Sequence, residues 1–295
     1  MYVVTGATGN TGRRVADALL AAGKKVRVVG RSAERLKPLG DLGAEVFTGD
    51  VADAAAMTRA LTGATAAYLM IPPNMAAENM DAYQDAVIAA YVAAIEKAGL
   101  QRAVTLSSIG AQHAEKVGPI KGLHRMEQRL NKIAGWNVLH LRPGFFMENL
   151  FNYIKLIKSM GMIAGTMRGD APLPWIATSD IAAVAADRLL RLDFTGSSVL
   201  ELAGPRDTTM DEAARAVGAA IGQPKLSYTK APAMMVRPAM ISMGMSGSVA
   251  DSILEMDEGA NQGLLVPESA PDRSLTPTTL DEFLAEEFVP AFNTK

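Results

Sequence analysis

The 295-residue chain has no cysteine, and that absence removes disulfides, thiol nucleophiles and thiolate metal sites together. Histidine is scarce as well. His113, His124 and His140 are too scattered to argue for a metal site, and none is expected. Positive charge is not in excess: 29 Lys and Arg stand against 31 Asp and Glu, a formal net charge of -2. With no local basic patch either, the composition argues against a nucleic-acid partner. No apolar run reaches the ~18 residues needed to span a bilayer, and a strand-like run starting at Tyr2 leaves no space for a signal peptide. The expectation is a cytoplasmic location without a membrane partner. Apolar material is abundant, since 49% of residues are hydrophobic, enough for the buried core of one large α/β unit with or without an appended lobe.

Strand-like and helix-like segments alternate through the first half. After a first strand and a glycine-rich turn, the pattern predicts a helix ending near Gly23, a strand over 26–30, a short helix from Ala33 halted by Pro38, and a strand over 44–48. It continues with a helix over 54–61, a strand over 66–71 stopped by Pro72 and Pro73, a helix over 78–98 closed by Gly99, and a strand over 102–107. A helix over 120–134 and a strand over 137–141 follow, the strand running into RPGFFMENL. Strands joined by helical crossovers imply an α/β fold with a doubly wound parallel sheet of Rossmann type and ligands at the carboxyl ends of the strands. The expected division is a dinucleotide-binding domain over 1–150 and a smaller C-terminal α/β substrate lobe over 151–295, interleaved with it and without a linker. In the lobe, helices are read over 179–190, 209–221 and 279–288, the last two opened by Thr209 with Glu212 and by Thr279 with Glu282 at capping-box spacing. The Met-rich segment 234–245 is read as a mobile wall over the substrate cleft, with plain core packing as the competing reading.

The run VVTGATGNTGRRVADALL, 3–20, sets Gly6, Gly9 and Gly12 at GxxGxxG spacing between the first strand and a helix carrying Val15, Leu19 and Leu20. A side chain at Gly6 would obstruct the turn, one at Gly9 would block a pyrophosphate, and one at Gly12 would push helix from strand. Free N–H groups at the helix start then face phosphates, which is the physical case for dinucleotide binding; a tight turn without a ligand is the alternative. Arg31 follows the second strand where an NAD site commonly carries an acidic residue for the ribose hydroxyl. Arg31 and Ser32, with Arg35 one turn on, can pair instead with a 2'-phosphate, so NADP(H) is the expected cofactor. A solvated basic helix start is the competing reading.

Together with VRVVGRSAERL, with LHLRPGFFMENL (Arg142, Pro143, Gly144, Asn149) and with WIATSDIAAVAA (Asp180, Ile181), this turn resembles the NmrA-like, atypical group of the short-chain dehydrogenase/reductase family over nearly the whole chain. The resemblance implies a Rossmann domain, NADP(H), and a substrate cleft over the nicotinamide. By position it assigns Gly6, Thr8, Gly9, Asn10, Thr11 and Gly12 to the pyrophosphate, and Arg31, Ser32 and Arg35 to the adenosine phosphate. Asp50 and Val51 would edge the adenine, while Met70, Ile71 and Pro72 would meet the nicotinamide ribose. Pro143, Gly144 and Phe145 would border the nicotinamide, with Ser107 among the cofactor contacts. Phe146, Met147, Asn149 and Tyr153 are the substrate contacts expected. Asp50 also reads as a turn cap, and Phe145 and Phe146 as ordinary core.

A typical short-chain dehydrogenase has Tyr-x-x-x-Lys on the helix after strand five and a serine at that strand's end, so that the tyrosine protonates the nascent alkoxide. Ser107 and Ser108 are present; the tyrosine is not. The helix reads GPIKGLHRMEQRL, with Leu123, Met126, Leu130 and Ile133 as its buried stripe and His124, Glu127 and Gln128 on another face. His124 and Gln128 repeat the four-residue spacing, which makes His124 a candidate proton donor or substrate contact, and Lys121 a second candidate. Each also reads as an ordinary helix-surface residue. The function expected is an NADPH-dependent reductase passing hydride to an apolar aromatic acceptor (a quinone, an azo compound, or a related imine or carbonyl) without flavin. The alternative is an NADP(H)-binding redox sensor without turnover, and isomerase or epimerase chemistry stands third. Homo-oligomer formation stays open.

Overall fold

Short apolar runs punctuated by capped helices build a parallel sheet in the computed structural model, which describes residues 1–268 and 274–294. The first half runs β1 (Tyr2–Thr5), α1 (Asn10–Ala21), β2 (Val26–Gly30), α2 (Ala33–Asp41), β3 (Glu45–Thr48) and α3 (Ala54–Leu61). It continues with β4 (Ala66–Leu69), α4 (Met80–Ala98), β5 (Arg102–Leu106), α5 (Ile120–Leu130) and β6 (Asn137–Pro143). Then come β7 (Phe145–Phe146), a 3-10 segment (Met147–Tyr153), α6 (Ile154–Met160), β8 (Ile163–Gly165), β9 (Trp175–Ile176), α7 (Thr178–Arg191) and β10 (Ser197–Ala203). The chain closes with α8 (Met210–Ala220), β11 (Tyr228–Lys230), α9 (Ala233–Ser242), α10 (Gly247–Asn261), β12 (Ser274–Leu275), α11 (Leu280–Phe283), a π turn (Leu284–Phe288) and α12 (Val289–Thr294).

Eight strands form the main sheet in the order β12-β10-β6-β5-β4-β1-β2-β3, every neighbouring pair parallel. This is a Rossmann-like α/β fold, and the order reverses between β1 and β4, where a crevice opens outside the carboxyl ends of the strands. Crossover helices cover both faces. On one, Val15, Leu19, Leu36, Leu39, Ile181 and Leu189 seal β1, β2 and β6; on the other, Met57, Val87, Tyr91, Ile95, Met126 and Leu130 do so. A third apolar core gathers around Leu150, Trp175, Met210, Val217, Phe283 and Phe288 from the second half of the chain. That half also returns β10 to the main sheet, pairing Ser197 through Leu202 with Val138 through Pro143.

Local chemistry sets the element ends. The Asp53 carboxylate accepts from Ala55 and Ala56 N–H at 2.8 and 3.1 Å and starts α3, and Asn79 starts α4 by accepting from Ala82 N–H at 2.9 Å. Both expected capping boxes form, at Thr209 with Glu212 and at Thr279 with Glu282. Pro38 does not halt α2 as its sequence position suggested: the helix runs on to Asp41, with Leu36 and Leu39 fully buried beneath it. Burial of those two side chains offsets the one backbone bond that proline removes. The helix expected over 120–134 stops at Leu130. Among the described residues no helix is long and apolar enough to cross a membrane.

Candidate functional site

The crevice begins at the glycine turn. Thr5, the last residue of β1, donates its hydroxyl to Tyr68 O and accepts from Met70 N–H, both at 3.1 Å, which ties the ends of β1 and β4 together. Gly6 then adopts φ +64°, where a side chain would also collide with the Met70 sulfur. A Cβ at Gly12 would strike Gly6 O and lie 2.9 Å from Thr5 O, so only glycine lets α1 sit this close to the strand. Gly9 differs: beyond its own neighbours, a Cβ there would meet only Gly6 O, at 3.4 Å, and its outer side is open. Gly9 caps α1 with no side-chain partner, and the first turn of the helix carries no acidic residue. Unshared N–H groups, an open glycine face and the positive end of a 12-residue helix are what an anionic pyrophosphate requires. Thr8 and Asn10 stand at the outer side of this turn, whereas Thr11 and Gly12 are buried under it.

Arg31 and Arg35 are exposed beside the turn, and Arg35 reaches Thr8 O at 3.5 Å. Ser32 caps α2, its hydroxyl accepting from Arg35 N–H at 3.3 Å. Asp50 accepts from Ala52 N–H at 2.9 Å, a turn cap on an otherwise exposed side chain, while Val51 is buried in the core under β3. A residue without any motif of its own in the sequence links these groups. Tyr83 donates its phenol to Pro72 O at 2.8 Å, and that phenol is held above its ordinary range first by burial and then by the Asp50 carboxylate, with Arg31 acting in the opposite sense. Pro72 thus holds a phenol that lies within electrostatic reach of Arg31 and Asp50.

Next to this edge lies a cavity of about 340 Å³. Met70, Ile71 and Pro72 after β4, Ser107 and Ser108 after β5, and Gly144, Phe145, Phe146 and Asn149 after β6 all line it. Three sets of residues far apart in sequence thus meet at the strand ends. Phe145 packs edge-on against Trp175 at 4.8 Å between ring centres, which fixes the wall formed by β7 and β9. Pro143 is buried at the end of β6, and Met147 is buried in the third core, off the cavity. Tyr153 packs against that core too, where burial and the Asp257 carboxylate raise its phenol. From α10 the cavity receives Met256, Asp257 and Ala260. Residues 234–245 do not line it; α9 has no buried residue, and Met234 and Met235 are 81% and 68% exposed.

The candidate proton donors are held elsewhere. His124 Nδ1 shares a hydrogen bond with Ala111 O at 2.8 Å and does not line the cavity. Lys121 is paired with Glu255 at 2.9 Å and also stays off the lining. Glu127, read from sequence on a face apart from the buried stripe, is only 2% exposed. It can be buried because Arg142 reaches across from β6 and binds it through two hydrogen bonds, of 3.0 and 2.6 Å. Burial works against the Arg142 charge, and the Glu127 and Glu268 carboxylates more than offset it. Ser107 donates its hydroxyl to the same Glu127 carboxylate at 2.5 Å, so its proton is committed inward and its oxygen is left as an acceptor toward the cavity. An arginine in the strand 138–143, whose other residues are apolar apart from His140, was the available sequence signal for a buried carboxylate nearby.

A parallel sheet with an uncapped glycine turn at its switch point and an apolar cavity beside it defines a dinucleotide-binding α/β protein. The model of the NmrA-like family matches residues 2–284, and the chain belongs to that family. An NAD(P)H azoreductase of Xenophilus azovorans is 28% identical over 258 residues, covering 87% of this chain and 86% of the relative. A (4-alkanoyl-5-oxo-2,5-dihydrofuran-3-yl)methyl phosphate reductase of Streptomyces griseus is 30% identical over 263 residues, covering 89% and 88%. Among solved structures, an NADPH-dependent quinone oxidoreductase of Escherichia coli crystallised with NADPH superposes with a TM-score of 0.80 at 25% identity, covering 98% of this chain and all of that one.

Proposed function

We propose that this protein is an NADPH-dependent reductase that passes hydride to an apolar aromatic acceptor, a quinone, an azo compound or a related imine or carbonyl, without flavin. The observation that carries the reading is the apolar cavity at the ends of β4, β5 and β6, contiguous with a glycine turn suited to a pyrophosphate. The cofactor is NADP(H), which supplies the hydride when bound. Gly6, Thr8, Gly9, Asn10 and the α1 N–H groups hold its pyrophosphate. Arg31 and Arg35 neutralise the 2'-phosphate, and Met70, Ile71, Gly144 and Phe145 border the nicotinamide. Residues 1–150 serve as the cofactor-binding part and 151–295 as the acceptor side.

The cavity wall also favours the acceptor class. Aromatic and aliphatic side chains dominate it; among the described residues its polar ones are Gln84, Ser107, Ser108, Asn149 and Asp257, and no tyrosine lines it. Ser107 has its proton turned toward Glu127 and offers no donor to an alkoxide. Acceptors that delocalise the arriving charge suit this apolar wall and are expected to be reduced faster than ketones. The test is NADPH oxidation across a panel of quinones, azo dyes, imines and ketones, with flavin excluded by absorbance. Tight NADPH binding with no turnover across the panel would replace this reading with that of a redox sensor.

A further inference from the structure

Asp257 is the one ionisable side chain among the described residues that line the cavity. It lies on α10, with Met167, Leu173, Met256 and Ala260 as apolar lining on its side of the cavity. The residue is 9% exposed, and the Thr166 hydroxyl donates to its Oδ2. Among the described residues it has no ion-pair partner. Among the described residues its Oδ1 has no hydrogen-bond partner, and the residue lines the cavity. The titratable groups around it are the phenols of Tyr153, from the 3-10 segment, and Tyr228, from β11; burial raises both, and Asp257 adds to each rise. Tyr228 is occupied, donating to Met167 O at 2.9 Å.

We propose that Asp257 is the proton donor to the acceptor, its carboxyl hydrogen passing to the acceptor oxygen or nitrogen inside the apolar cavity. This rests on the reductase reading above. The acceptor gains a hydride from the reduced nicotinamide and a proton from Asp257. The carboxyl O–H bond breaks, an O–H or N–H bond forms on the acceptor, and water returns a proton to the carboxylate. Geometry selects this residue over His124 and Lys121, which are tied to Ala111 O and Glu255 away from the cavity. Its acidity fits a proton donor, because burial, opposed by the Thr166 hydrogen bond, moves the carboxyl up to about 6.

Asp257→Asn preserves size and can still accept from Thr166. Its kcat for the best acceptor should fall about 10- to 100-fold below pH 6 with NADPH affinity, read by fluorescence, unchanged, as for loss of a general acid. Wild-type kcat should decline as pH rises through about 6, and the variant should lack that decline. Thr166→Val deletes the donor that favours the carboxylate and should move the declining limb to higher pH. One readout needs no turnover: without cofactor, the unfolding midpoint of wild type relative to that of Asp257→Asn should fall as pH rises from 3.8 to about 6. Wild-type kcat and pH profile in Asp257→Asn would overturn the proposal. So would a lowered kcat without any change in profile, since that marks a role in cavity shape. If Asp257→Asn does not fold, an unmoved limb in Thr166→Val overturns it alone. Wild-type protein that binds NADPH but reduces nothing in the panel overturns the reductase reading, and this proposal with it.

Discussion

Arg142→Leu probes the network behind the cavity most directly. The side chains of Glu127 and Arg142 are 2% and 8% exposed, and their contacts of 3.0 and 2.6 Å are joined by the 2.5 Å bond from Ser107. Removing the guanidinium leaves a buried carboxylate with one neutral donor. Breaking a buried pair from one side costs about 3–5 kcal/mol, and the deeper burial of Glu127 puts Arg142→Leu near the upper end. Glu127→Leu should sit nearer ~3 kcal/mol, because Arg142 keeps Glu268 at 3.1 Å, a partner 66% exposed. At roughly 2 °C per kcal/mol for a chain of this size, the unfolding midpoints drop by about 8–10 °C and about 6 °C. The double variant Glu127→Leu with Arg142→Leu replaces both charges by apolar groups and should return to within about 1–2 kcal/mol of wild type. Urea and thermal unfolding of the four proteins closes the cycle. A loss below about 1 kcal/mol in Arg142→Leu, or a double variant no better than the single ones, would refute the claim that this pair is buried and mutually dependent.

Arg31→Ala should weaken NADPH relative to NADH by about 1.5–3 kcal/mol, the loss of a charge-assisted phosphate contact, and equal losses by fluorescence titration would remove Arg31 from the 2'-phosphate site. His124→Ala should keep kcat within about threefold of wild type, since its ring is anchored to Ala111 O off the cavity; a fall of 10-fold or more, the weak end of general acid catalysis, would restore it as a donor. For Asp257, a folded-state value raised from 3.8 to about 6 means that the folded chain holds a proton the unfolded chain has released, so this group's contribution to stability declines as pH rises across that window and is level above it. The decline attributable to this group is about 3 kcal/mol at ~1.4 kcal/mol per unit, and urea unfolding of wild type and Asp257→Asn at pH 4 and pH 7 measures it by difference.

Much of the first half was legible because each of its elements announces itself locally. Strands of a parallel sheet are buried on both faces and read as unbroken apolar runs such as Ala66–Leu69, and Asp53, Asn79 and Gly99 punctuate the helices between them. The glycine turn was legible for the same reason, since its constraint lies within seven consecutive residues. Glu127 was not: what makes it a buried residue is Arg142, one strand later, and amphipathic spacing on α5 alone assigns a carboxylate to solvent. Asp257 was further out of reach, because its partner Thr166 is 91 residues away and its cavity is shared with β4, β5 and β6. The Met-rich stretch misled in the opposite direction. Its hydrophobicity suggested a wall or core, whereas α9 displays Met234 and Met235 outward and only the following helix, α10, reaches the cavity.

The return of β10 to the flank of β6 has a consequence for how such a chain can be cut or recombined. A fragment ending near residue 150 would keep the glycine turn and strands β1 to β6, yet it would leave β6 with a bare row of amides and carbonyls that Ser197–Ala203 now satisfies. Such an exposed strand is an open template for another chain, so the fragment would self-associate instead of standing as a nucleotide-binding module. Any graft that exchanges the acceptor-side portion for a relative's must therefore carry β10 and its register along, which makes the strand, and not the stretch after β6, the seam at which such proteins can be rebuilt.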